Sequence, residues 1–155
     1  MSFQISGLDE KPFEHLFGAA QEVLGRHGVE RMTVDARPGY PCRISLEDAE
    51  IGETVLLMNY EHLAVESPYR SAHAIFVRER VTRAIIPPNE IPEMLRLRLL
   101  SVRAFDANGM MVDADIVDGG DVEPMIERML SLEAVDFLHI HNAKRGCFIA
   151  RVDKA

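Results

Sequence analysis

The chain has 155 residues, 47% of them apolar and 6% aromatic, with no Trp and two Cys; 17 basic residues against 25 acidic ones give a net charge of −8. That hydrophobicity excludes a disordered tail, two Cys exclude a disulfide-framework miniprotein, and the length favours one domain over residues 1–155. The negative charge argues against nucleic acid and anionic membranes as partners, and no apolar run approaches the ~20 residues of a membrane span.

Residues 1–10 have neither the basic n-region nor the apolar h-region of a signal peptide. The expected compartment is therefore the cytoplasm, with Cys42 and Cys147 as reduced thiols. Phe3–Ile5 opens as a short strand. Phe13, Leu16, Phe17, Ala20, Val23 and Leu24 recur with a 3.6-residue period. They predict one helix over about 10–27, capped by Asp9 and stopped by Gly28. Alternation over Val29–Arg37 predicts a strand, broken by Pro38-Gly-Tyr-Pro41. Cys42–Leu46 reads as a short extended piece, and Glu53–Tyr60 as a central strand covered on both faces. Glu61–Ser71 is a long connection.

Ala72–Val77 and Arg83–Ile86 read as strands, and Pro87-Pro88-Asn89 launches a short helix through about Leu95. Arg96–Phe105 and Met110–Val117 form a hairpin around Asn108-Gly109, a pair that readily takes positive φ. Asp121 is the expected cap of a second helix, with apolar positions Val122, Met125, Ile126, Met129 and Leu130. Val135–Asn142 and Cys147–Val152 close the chain as a hairpin around Lys144-Arg145. The fold class is α+β, a mainly antiparallel sheet of hairpins packed against two amphipathic helices.

His139 and His141, two apart on a strand, share one face. A two-residue turn would pair His141 with Phe148 and Ile140 with Ile149. The histidine face would then hold Phe137, His139, His141, Phe148 and Ala150, with Cys147 on the other. Two His begin a metal site but need a third ligand, for which His73, His62 or an Asp of the 106–121 stretch are candidates. The plainer reading is histidines hydrogen-bonded in the interior, and no residue is assigned as a metal ligand. Asp113 and Asp115 share a strand face within a base-free acidic stretch, Asp106 to Glu127. They lack the spacing of an EF-hand loop and read as a solvated face. Tyr69, Arg70, Ser71 and His73 gather a phenol, a guanidinium, a hydroxyl and an imidazole before a strand, a set suited to a small anion. Cys42 beside Arg43 is a candidate thiol nucleophile. Seven of the 17 basic residues lie between Arg70 and Arg103, as an anion groove, a dimer stripe or ordinary salt bridging. There is no Walker loop, no G-x-G-x-x-G, no C-x-x-C, no H-E-x-x-H and no G-x-S-x-G elbow.

An ordered set of segments carries a resemblance: Pro38-Gly-Tyr-Pro-Cys-Arg43, Leu46-Glu-Asp-Ala49, Gly52-Glu-Thr-Val-Leu-Leu57, Pro68-Tyr-Arg-Ser71 with His73, Ile75-Phe-Val-Arg-Glu79, His139-Ile-His-Asn-Ala143 and Gly146-Cys-Phe-Ile-Ala-Arg151. Over about residues 3–155 the chain resembles the bacterial family known as domain of unknown function 1203. The resemblance implies a small bacterial single-domain protein with no activity to carry over. It gives Cys42, Tyr69, His73, His141 and Cys147 no catalytic role, only a place among candidate pocket residues.

The leading expectation is a module binding a small anionic ligand through Arg43, Tyr69, Arg70, Ser71, His73, His139 and His141. The alternatives are a metal-assisted or thiol-dependent enzyme and an interaction protein acting as a homodimer. No cofactor is assigned.

Overall fold

The computed structural model describes residues 2–155. Its strands are β1 (Phe3–Ser6), β2 (Glu30–Thr33), β3 (Thr54–Leu63), β4 (Ser71–Arg78), β5 (Leu99–Phe105), β6 (Met111–Asp118), β7 (Phe137–Asn142) and β8 (Phe148–Lys154). Its α-helices are α1 (Gln21–Arg26), α2 (Glu93–Arg96) and α3 (Val122–Leu130). The strands form two sheets, one ordered β1-β8-β7-β5-β6 and one ordered β2-β3-β4, with every neighbouring pair antiparallel. The class is thus α+β, with two antiparallel sheets in place of the expected one.

The period of two along β5 and β7 sorts the larger sheet. Val102, Ala104, Leu138 and Ile140 turn toward α3, whose Val122, Ile126, Met129 and Leu130 fill the same core. Asp118 caps the entry to this helix by accepting from the Gly120 N–H at 3.0 Å. Asp121, the expected cap, makes no capping bond. A 3-10 turn over Gly119–Asp121 moves the first free N–H groups back to Asp118.

The single helix expected over 10–27 is two pieces, a 3-10 segment at Lys11–Leu16 and α1. Gly18 lies between them at φ +70° and donates its N–H to Glu79 Oε1 at 2.8 Å. The periodic residues still mark burial, since Phe13, Leu16 and Leu24 pack on Leu56, Met58 and Ile75 of the smaller sheet. Among the described residues only α3 is a long amphipathic helix. Gly28, at φ +67°, ends α1 as expected.

Two further expectations fail. Residues 42–46 form a turn, with the Leu46 N–H bonded to the Cys42 carbonyl at 3.0 Å. Arg83–Ile86 is not a strand: Ala84 bonds across to the Ile44 carbonyl and Ile85 stays exposed ahead of two prolines. The 42–46 turn bridges the sheets, since Arg43 N–H donates to Phe76 of β4 and Leu8 N–H to the Arg43 carbonyl.

At the β5–β6 turn, Gly109 takes φ +77°, and Asp106 Oδ1 accepts from Asn108 and Met110 N–H. A Cβ there would lie 2.4 Å from Val65 Cγ2. Gly109→Ala is therefore expected to cost about 1–2 kcal/mol, read as a lower urea midpoint. An unchanged midpoint would contradict the turn as described.

Candidate metal centre

β7 presents Phe137, His139 and His141 on the face turned away from α3. Their cross-strand partners on β5 are Phe105, Arg103 and Ser101. On β8 the partners are Asp153, Arg151 and Phe148. The strand β8 carries one extra residue here: His141 pairs with Phe148, but Ile140 pairs with Ala150, not Ile149. This bulge moves Ala150, expected beside the histidines, to the core face with Ile149.

The third imidazole comes from the other sheet. β3 does not stop at Tyr60 but runs on to Leu63, and its register against β4 shifts between Tyr60 and Leu63. His62 lies in that irregular stretch and reaches across to β7. Its ring centroid is 4.8 Å from His141 and 5.8 Å from His139. One nitrogen of each ring lies within 4.8 Å of the other two.

Three nitrogens of this cluster, His62 Nδ1, His139 Nδ1 and His141 Nε2, are buried with no hydrogen-bond partner. Buried polar atoms are rarely left so. His141 shows why its free nitrogen is a lone pair. Its Nδ1 lies 2.9 Å from the Gly146 carbonyl, which can only accept. The proton therefore sits on Nδ1, and Nε2 is an unprotonated acceptor, the tautomer and second contact typical of a metal-bound histidine.

Burial is the main force on all three. It pushes His139 and His141 down to about 3 and His62 down to about 4, helped by neighbouring imidazoles and by Arg103. The set is neutral at neutral pH. Aromatic rings wall it in: Phe148 stacks on His62 at 5.2 Å and meets His139 edge-on at 4.9 Å, while Phe105 meets His139 edge-on at 5.5 Å. Arg151 covers Phe137 at 4.0 Å and is paired with Asp153. Arg103 donates to Ser101 Oγ at 3.2 Å and has no carboxylate partner among the described residues.

The other candidates from the sequence are spread out. Arg43 is fully buried beneath the β7–β8 turn, with Cys147 at its guanidinium. His73 is half-buried on β4 and shares a cavity wall with Arg43. Tyr69 is partly exposed, edge-on to Phe105 at 6.3 Å. Arg70 pairs with Glu61 in solvent, and the Ser71 hydroxyl donates to the Tyr69 carbonyl. Cys42 and Cys147 are both free and buried. Asp113 and Asp115 face Arg128 at the surface, and Arg78, Arg96 and Arg98 have their own carboxylates, so salt bridging accounts for much of those charge runs, though not for Arg80, Arg83 or Arg103. Sequence reading placed His62 in a loop, although it counted it among three candidate third ligands. Arg103 stood out only as one of an arginine-rich stretch.

A family model described as "Protein of unknown function (DUF1203)" matches residues 39–154, which include all three histidines, Arg43 and Arg103. No curated protein and no solved structure matches the chain. No helix is long and apolar enough to cross a membrane.

Proposed function

We propose, for a chain that belongs to the DUF1203 family of proteins of unknown function, that His62, His139 and His141 bind one divalent transition-metal ion. The observation that carries this reading is that one nitrogen of each imidazole lies within 4.8 Å of the other two, in a cluster where each ring also keeps a buried nitrogen with no hydrogen-bond partner. Neutral imidazoles suit zinc, iron, nickel and copper better than magnesium or calcium, which take oxygen ligands. A tetrahedral ion with bonds of about 2.0–2.1 Å needs its ligand atoms some 3.4 Å apart. Binding therefore requires the three nitrogens to draw closer together than 4.8 Å.

Three protein ligands leave a fourth position open, the pattern of a reactive site more than of a structural one. Three neutral donors also leave the ion's charge of +2 uncompensated. Arg103, level with His139 on the neighbouring strand, adds another positive charge. The ligand completing the shell is therefore a small anion, which both charges attract.

Metal-stripped protein should take up one equivalent of Zn²⁺ by titration calorimetry. With Co²⁺ it should show the visible absorption of a nitrogen-ligated ion. Absence of binding at millimolar metal, or binding in superstoichiometric amounts at the acidic surface only, would overturn the reading.

A further inference from the structure

Between the two sheets lies a guanidinium that no carboxylate among the described residues pairs with. Arg43 is 1% exposed. Its Nε donates to the Phe148 carbonyl at 2.7 Å, one terminal nitrogen to the Pro41 carbonyl at 2.6 Å, and the other to Cys147 Sγ at 3.1 Å. These partners satisfy its geometry but are no carboxylate. Asp48, the buried acid of this region, is held through both oxygens by Arg98 at 2.6 and 2.9 Å. Burial lowers the basicity of Arg43; Cys147 opposes that effect, and the positive charge of Arg98 adds to it. A buried charge without a counter-charge is costly, and proteins seldom retain one unless something pairs with it.

Arg43 also forms part of the wall of a cavity of about 630 Å³, within the range of small-molecule sites. The wall also holds His73, the cationic Arg145, and Asp35, whose carboxylate accepts from the Tyr40 hydroxyl at 2.7 Å. Arg145 is exposed and has no acid partner among the described residues. The apolar part is an aromatic pair, Tyr40 and Phe76, with ring centroids 5.1 Å apart, beside Leu57.

We infer that this cavity binds a small organic carboxylate with a flat apolar body. Its acid group neutralises Arg43, and its body lies against Tyr40 and Phe76. The site is separate from the three histidines and requires no metal, so the two readings fail independently.

The test is calorimetric titration of metal-stripped protein with benzoate and with its neutral counterpart benzamide. Benzoate should bind at least about tenfold more tightly, the margin a charged hydrogen bond gives. Arg43 ties three segments together, and its variants risk unfolding. Two surface-tolerant changes therefore carry the test. Ala74→Trp, at an exposed position on the cavity wall, should fill the space and remove benzoate binding. Arg145→Glu should weaken it about tenfold. The inference is overturned if benzoate does not bind, if benzamide binds equally well, or if Ala74→Trp leaves binding unchanged.

Discussion

His62→Ala is expected to lower zinc affinity at least about 100-fold while the protein keeps its fold. An outer contact to a metal ligand is already worth 10–100-fold, and a ligand itself is worth more. His62 is the informative position because it comes from the smaller sheet, while His139 and His141 share one strand of the larger one. Without it, two same-face imidazoles remain, and two ligands hold a divalent ion poorly. His62 is only half-buried, so its loss costs little more than its stacking on Phe148, about 1 kcal/mol. Calorimetry with Zn²⁺, alongside far-ultraviolet dichroism for the fold, reads both effects. An affinity within threefold of the parent would remove His62 from the site and with it the case for a metal.

Glu79→Gln is expected to lower stability by about 2 kcal/mol at pH 7 once solvent screening is allowed for. Its carboxylate accepts from Arg31 at 2.9 and 3.0 Å, Thr54 Oγ1 at 2.6 Å and the Gly18 N–H at 2.8 Å. With the side chain 8% exposed, these contacts, led by Arg31, hold it down at about 2, against an ordinary value of 4.5. The folded state thus favours the charged form. Its contribution is complete above about pH 4.5 and is lost as the pH falls toward 2. Wild type and variant should accordingly differ most in urea midpoint at neutral pH and converge in acid. A gap that stays constant from pH 7 to pH 3 would show that the charge of Glu79 is not what stabilises this corner.

What could be read from the sequence is what short-range geometry determines. A period of two placed His139 and His141 on one face, and Asn108-Gly109 marked a turn that the fold uses. The apolar positions of α3 were legible because helix and core agree there. The failures have distant causes. The helix over 10–27 breaks because Gly18 bonds to a carboxylate 61 residues away. Arg43 reads from the sequence as one of a polar set that converges on a ligand, yet its guanidinium is buried and donates to a carbonyl 105 residues along the chain. His62 is legible only as one of several possible third ligands, because the irregularity in β3 beside it leaves no mark in a hydrophobic pattern. The same-face pair was thus visible, while the choice of its third member depends on the pairing of another sheet.

The extra residue in β8 has a consequence for how this chain can change over generations. Phe148 and Arg151 stand three positions apart, an odd spacing that places residues on opposite faces of a regular strand. Here both partner the histidine face, His141 and His139, because Ile149 is accommodated without a partner of its own. Removing one of the two core-face residues, Ile149 or Ala150, would leave Phe148 and Arg151 two apart, the same-face spacing of a regular strand, so both would still stand beside the histidines. Relatives that keep the three histidines should therefore tolerate loss of one residue between Phe148 and Arg151.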